Sequence, residues 1–341
     1  MNTKNNSTPQ SEMEIDSRSK PTAEAAKSTS FKTALVLPTL NAAPDLVSWL
    51  AALRTQTLVP DRLLLVDSSS NDDTVQIAQQ AGFETTVIPR EEFSHGGTRQ
   101  MCVNQLEGSD IVVFLTQDAM LASPNAIEKL LSRFNDPKVA AAYGRQLPRR
   151  EADPIEAHAR LFNYSDETRV KSLDDIPRLG IKTAFISNSF AAYRRKALME
   201  AGGFPSHTIQ NEDTYVASKL ILAGWKVAYV AEAAVYHSHP FTIGDEFRRY
   251  FDIGVFHARD RWIRESFGQA EGEGMRFVKS ELRYLKKSKP SVIPSAILRT
   301  AMKLLGYKLG NREQVLPLWL KRAMSKNRRY WDTERKEVQA R

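Results

Sequence analysis

One cysteine, Cys102, in a chain of 341 residues leaves no partner for an internal disulfide, so packing alone must hold the core. No apolar run approaches the roughly 20 residues of a membrane-crossing helix. The chain is therefore expected to lie on a membrane rather than cross it. No G-x-G-x-x-G follows the first apolar run, which counts against a dinucleotide cofactor of the usual kind, and the absence of G-x-x-x-x-G-K-S/T excludes a P-loop. Residues 1–30 are rich in Ser, Thr, Asn, Lys and Glu and lack the apolar core of a secretory signal. A disordered tail and a cytoplasmic protein are the corresponding expectations. No internal repeat is visible.

What is present is an ordinary globular composition, 42% hydrophobic and 26% charged. The net charge of +8 is concentrated after Phe241, where Lys and Arg outnumber Asp and Glu about two to one. An anionic partner follows from that asymmetry. Nucleic acid is set aside as a partner because Tyr250, Phe251, Phe256, Trp262, Phe277 and Tyr284 recur at helical spacing among apolar residues and form no base-stacking platform. An anionic lipid surface is expected instead.

From Lys32 onward, short β-branched or leucine-rich runs alternate with helical patterns, the mark of an α/β fold with parallel strands and crossover helices. Strands are expected at Thr33–Leu37, Arg62–Val66, Thr85–Ile88, Ile111–Leu115, Val139–Tyr143, Ala184–Tyr193 and Lys226–Val230. Helices are expected at Pro44–Arg54, Asp72–Ala81, Gly97–Leu106 and Asp213–Ala223. Pro148–Gly180 reads as an irregular insertion over one sheet edge, and the pattern is helical after Pro240. The division implied is a tail at 1–30, a catalytic domain at 31–240 and a basic helical region at 241–341.

In an open α/β sheet, ligands sit at the carboxyl ends of strands, so the polar residues that end the apolar runs are the candidates. The first run ends in Pro38, Thr39, Leu40 and Asn41; the second in Asp67 and a Ser-rich turn; the fourth in Thr116, Gln117 and Asp118. Asp67 could accept from a pyrimidine base or a ribose, or cap a helix. Asp118 stands where a carboxylate is costly unless a cation meets it, and Mg²⁺ or Mn²⁺ shared with substrate phosphates is such a cation. The Gly96-Gly97 pair beside Arg99 lets backbone N–H groups approach a phosphate. Glu212 and Asp213 open a helix, where carboxylates serve as caps or as a base. His237 and His239 share one side of an extended segment and are a metal pair or an incidental one.

These residues, in this order, resemble the family 2 glycosyltransferases of the GT-A fold. LVLPTLNAA, LLLVDSSSNDDT, FSHGGTR, FLTQDA and NEDTYVASKLILAGWKVAYV followed by YHSH carry the likeness across Lys32–Pro240. FSHGGTR, FLTQDA, AAYGRQLPR and FNY are most similar to the bacterial rhamnosyltransferases that build O-antigens and surface polysaccharides from dTDP-L-rhamnose. The resemblance implies a mixed, mostly parallel sheet flanked by helices with a C-terminal helical extension. It places Pro38, Thr39, Asn41 and Asp67 around the nucleotide and Arg99 near the diphosphate, with Gln117 among the donor-binding candidates. Asp118 matches the last position of the D-x-D motif, Asp213 the base of the E-D motif, and His237 or His239 a further metal contact, His237 being preferred. Thr116 stands where the motif's first Asp belongs, which leaves metal use open.

The implied reaction is an inverting transfer from a nucleotide-diphosphate sugar to a lipid-linked or glycan acceptor at the inner face of the cell membrane. Two basic amphipathic stretches, Phe247–Phe267 and Ile293–Leu309, could meet that membrane or pack on the catalytic domain. Two rival readings remain: a nucleotidyltransferase of the same fold, and a catalytically silent GT-A-like assembly factor that binds glycan or membrane.

Overall fold

The computed structural model describes residues 31–238, 240–268 and 272–332. The expected tail at 1–30 and His239, the alternative metal contact, lie outside the described residues. Three apolar runs form the centre of the sheet: β1 (Thr33–Thr39), β2 (Arg62–Asp67) and, beyond the outer strand β3 (Glu84–Val87), β4 (Ile111–Leu115). Each is followed by a helix or a turn at the same end of the sheet: α1 (Ala43–Arg54), α2 (Thr74–Gln80) and α3 (His95–Gln105) follow β1, β2 and β3. Strands β3, β2, β1 and β4 are parallel neighbours in that order. Side chains along β1 alternate between two cores, Ala34 and Val36 on one face, Leu35 and Leu37 on the other, as period-2 geometry requires. Helix α1 covers the second face through Leu46, Trp49, Leu50 and Leu53.

Beyond β4 lie β5 (Met120–Leu121), α4 (Ala126–Leu131) and β6 (Val139–Leu147). The segment expected to be irregular folds instead into α5 (Pro154–Asn163), β7 (Arg169–Lys171) and α6 (Ile176–Leu179). Asp153 accepts from the Glu156 backbone N–H at 2.9 Å and Pro154 opens the helix, a capping arrangement that starts α5. On β7, buried Lys171 donates to Tyr143 Oη (3.2 Å) and to the Lys182 and Phe185 carbonyls, tying this insertion to the sheet. Burial lowers the Lys171 pKa to about 7.

The strand expected at Ala184–Tyr193 begins only at Phe190: β8 (Phe190–Arg194) is preceded by a loop that turns over the sheet's end. Helices α7 (Arg195–Glu200) and α8 (Glu212–Leu222) follow, and then β9 (Lys226–Tyr236), which runs six residues past its expected end and delivers His237. Strand β8 is antiparallel to both β4 and β6, β9 is parallel to β6, and β5 and β7 pair antiparallel to β9.

The helices α9 (Ile243–Arg259), α10 (Arg261–Phe267), α11 (Glu273–Ser288), α12 (Ile293–Gly310) and α13 (Leu318–Met324) complete the chain. Of the two stretches expected at a membrane, the first is not available: Phe251, Val255 and Phe256 of α9 are buried in the same core as Val36, Phe114 and Tyr193. Each such side chain stabilises that docking by about 1.5–3 kcal/mol. Helix α9 crosses α12 at close range through Gly254, Gly306 and Gly310; a Cβ on Gly310 would stand 2.0 Å from the Phe251 carbonyl oxygen.

Candidate functional site

From β1 the chain goes on to β2 on one side of the strand order and from β4 to β5 at its far edge, and the crevice lies between the carboxyl ends of β1 and β4. The two tips are joined across it: Gln117 Oε1 accepts from the Leu40 N–H (2.8 Å), and Gln117 Nε2 donates to the Leu40 carbonyl (3.2 Å). Above the crevice lies a cavity of about 1160 Å³, bounded by Pro38, Thr39 and Leu40 of the β1 tip, Thr116–Asp118, the loop before β8, the start of α8, His237, and α9 with α12. Asp118, Asp213 and His237 line this one cavity.

Asp213 is the second residue of α8, where its Oδ1 accepts from the Thr214 N–H at 2.7 Å and its Oδ2 from the Asn188 N–H at 3.3 Å. Depth in the cavity, and then the neighbouring Glu212 charge, raise its pKa to about 7. Glu212 points the other way. It is buried, pairs with Arg99 (Nη1 to Oε1, 3.1 Å) and accepts from Asn188 Nδ2 at 3.0 Å; against the cost of burial, the Arg99 charge above all holds it ionised, below the usual carboxylate range. Asn188, itself fixed by a 2.8 Å bond from Tyr193 Oη, thus touches both acids. One acid is kept charged so that the other is poised near neutrality.

Asp118 is held from three sides. Thr116 Oγ1 donates to its Oδ1 at 2.6 Å, Arg149 Nη2 to its carbonyl at 2.7 Å, and His237 Nε2 lies 3.4 Å from Oδ1. Thr116, the departure from D-x-D, therefore orients the remaining carboxylate. On the far side of the imidazole, Nδ1 meets Gln146 Oε1 at 3.0 Å, while Gln146 Nε2 donates to Ser187 Oγ at 2.9 Å. Gln146 Oε1 at Nδ1 leaves Nε2 as the ring nitrogen turned toward Asp118. A carboxylate oxygen and an imidazole nitrogen 3.4 Å apart are a ligand pair that fits one divalent cation, whose adjacent ligands stand about 3 Å apart. No group of three His, Cys, Asp or Glu ligands occurs among the described residues, so phosphate or water oxygens must complete any such site.

Arg99, the Gly96–Gly97 pair, Asp67 and Asn41 are each engaged within the protein. Arg99 lines the cavity but is 6% exposed, and its guanidinium is engaged by Glu212 and by the His95 carbonyl (2.9 Å). The two glycines beside it serve packing and capping. A Cβ on Gly96 would stand 1.8 Å from the Pro205 carbonyl oxygen, and the Gly97 N–H is taken by Ser94 Oγ at 3.1 Å. Asp67 is 1% exposed and sits one hydrogen bond behind the cavity wall, accepting from Thr39 Oγ1 (2.9 Å) and from Ser70 N and Oγ (2.7 and 2.5 Å). Asn41, in a left-handed conformation, accepts from the Asn71 N–H at 2.9 Å and joins the two loops outside the cavity wall. Both residues shape the β1–β2 tips. Of the candidate residues, Pro38, Thr39, Arg99, Gln117, Asp118, Asp213 and His237 line the cavity. Asn188, Gln146 and Arg160, whose Nε donates to the His237 carbonyl at 2.8 Å, were not foreseen: each acts through partners far away in sequence, and no motif announces them.

A mixed sheet with its crevice at the β1–β4 switch and this cavity over it defines a GT-A glycosyltransferase. The fold is shared with a mannosyltransferase of Pyrobaculum calidifontis, solved with GDP-Man and Mn2+, at a TM-score of 0.51 and 19% identity over 88% of this chain and 85% of that one. Residues 34–202 match the model of glycosyl transferase family 2. The O-antigen chain rhamnosyltransferase WbaN of Salmonella anatum is 52% identical over 87% of this chain and 95% of its own. RfbN of Salmonella typhimurium, of the same description, is 51% identical over 89% and 96%. The chain belongs to glycosyltransferase family 2.

Proposed function

We propose that this glycosyltransferase moves L-rhamnose from dTDP-L-rhamnose, with inversion, to a hydroxyl of a lipid-linked glycan in O-antigen synthesis. The relatives' described activity supports the sugar and the pathway. The observation that carries the chemistry is that Asp213, with a pKa raised to about 7, faces the same cavity as the Asp118–His237 pair. The nucleotide lies against Pro38, Thr39 and Leu40, and its diphosphate toward Asp118, His237 and Arg160.

A base with a pKa near the working pH combines a useful ionised fraction with the strength to take a proton. Asp213 receives the proton of the acceptor hydroxyl as that oxygen forms its bond to the anomeric carbon, and the bond from that carbon to the diphosphate breaks on the opposite face. The nucleoside diphosphate departs with the bonding electrons. Asn188 and Thr214 hold the Asp213 carboxylate toward the cavity through their backbone N–H groups. Asp118 and His237 are the residues that would hold Mg²⁺ or Mn²⁺, which when bound supplies charge neutralisation for the leaving diphosphate.

At the membrane, the second amphipathic stretch is the one that remains available. Ile297, Leu298, Leu304 and Leu305 of α12 are about half exposed and fall on one stripe, with Lys286, Lys287 and Lys289 exposed just before it and Lys308 at its end. No described helix is long and apolar enough to cross a membrane, and such a stripe suits lying on the anionic inner face instead. Incubation with dTDP-rhamnose and a panel of UDP- and GDP-sugars, with a lipid-diphosphate-linked glycan as acceptor, tests the function. Transfer of rhamnose with inverted configuration is expected; transfer only from another nucleotide sugar would overturn the donor assignment.

A further inference from the structure

Two cations on the C-terminal wall of the cavity make no ion pair among the described residues. Arg249 of α9 and Lys326, just after α13, both lie over the ring of Phe241, with the guanidinium carbon 5.6 Å and the ammonium 4.2 Å from its centroid. Both line the cavity that holds Asp118 and Asp213. Their neighbours on the same wall, Arg299 and Lys303, share Glu246 at 3.4 Å each, whereas Arg249 and Lys326 have no carboxylate partner among the described residues. The nearby acids Asp245 and Asp252 attract Lys326 through space without forming an ion pair with it. Asp245 accepts from Thr242 N and Oγ1 (3.2 and 2.6 Å), and Asp252 Oδ2 accepts from Lys326 N, Asn327 N and Asn327 Nδ2 (3.0, 3.0 and 3.1 Å). The Asp252 bonds fix the backbone of Lys326, so the ammonium is held beside the guanidinium despite their repulsion. Partial desolvation first, and the Arg249 charge second, lower the Lys326 pKa against the opposing pull of Asp245 and Asp252. An anion bound between Arg249 and Lys326 relieves their repulsion.

We propose that Arg249 and Lys326 bind the diphosphate of the acceptor, the group that joins the glycan to its carrier lipid. The inference rests on the lipid-linked acceptor of the proposed function. Two features favour the acceptor over the donor. The strand tips already offer Asp118 and His237 for the donor's diphosphate, and α9, which carries Arg249, packs along α12, whose outer stripe is the apolar surface a lipid chain would meet. The Phe241 ring on which both cations lie shields one side of the site from water, which strengthens the charge-assisted bonds.

The test compares binding of three probes to the full chain and to Arg249→Gln/Lys326→Gln. They are a short-chain polyprenyl-diphosphate glycan, the same glycan on a neutral alkyl chain, and dTDP. The wild type is expected to bind the diphosphate-linked glycan at least about tenfold more tightly than the alkyl glycoside, the scale of charged hydrogen bonds. The double variant is expected to lose that advantage, Arg249→Lys to keep most of it, and dTDP affinity to stay within about threefold. An advantage that survives in the double variant, or none in the wild type, overturns the proposal; a parallel loss of dTDP affinity overturns it by assigning the pair to the donor. Sugar transfer by the wild type is scored separately, so a failed site and a failed enzyme reading are told apart. An unchanged melting temperature shows that the double variant is folded.

Discussion

At the residue scale, the poise of Asp213 is built by its neighbours. Arg99 keeps Glu212 ionised, and the Glu212 charge, added to burial, raises Asp213 to about 7. Because the folded pKa of Asp213 is raised, the base is protonated and idle below it, and kcat/KM should climb as pH rises through about 7. Glu212→Gln removes the repelling charge while retaining an acceptor for Asn188 and Arg99. The acidic limb of its pH profile should move to lower pH; a limb that stays in place would mean that Glu212 does not tune the base. The variant should also be less stable, since breaking a buried ion pair costs about 3–5 kcal/mol, so rates are compared per folded molecule. Asp118→Asn leaves the Thr116 and Arg149 contacts a partner but removes the ligand charge. Its dTDP affinity, measured with and without Mn²⁺, should lose the metal-dependent part, and a metal effect equal to wild type would remove Asp118 from that role.

At the element scale, α9 and α12 matter because they form the cavity wall proposed to meet the acceptor. Gly310→Ala sets a Cβ against the Phe251 backbone, which has no rotamer to yield, and overpacking of this kind costs about 1–3 kcal/mol. A lower melting temperature is expected; one equal to wild type would show the crossing to be looser than described. Strands β1, β2 and β4 were legible in the sequence because buried central strands are near-continuous apolar runs, and their tips pointed to Thr39, Gln117 and Asp118. The end of β9 was not, since Ala231, Glu232, Ala233 and Ala234 carry little strand propensity, and pairing with β6 breaks after Val230 and resumes only at Ala234, with β5 joining at Val235. Helix α5 was passed over although Asp153-Pro154 and Glu156 announce a helix start. The turn of Arg99 toward Glu212 was illegible for another reason: charge complementarity between residues 113 positions apart leaves no local pattern.

At the scale of the whole molecule, catalytic strand tips and basic helices enclose one cavity, and the outer stripe of α12 faces away from it. Leu298→Glu/Leu305→Glu should abolish flotation with anionic vesicles at low salt without lowering dTDP affinity; undiminished flotation would place the membrane contact elsewhere. The claim on which the account turns is that Asp213 takes the acceptor's proton in a cavity that also holds the donor. The direct measurement is the rate of rhamnose transfer at saturating dTDP-rhamnose by wild type and Asp213→Asn, with dTDP affinity determined for both. The account predicts a loss of about 10² to 10⁴-fold in rate with affinity preserved within a few fold. Equal rates in the two proteins would contradict it.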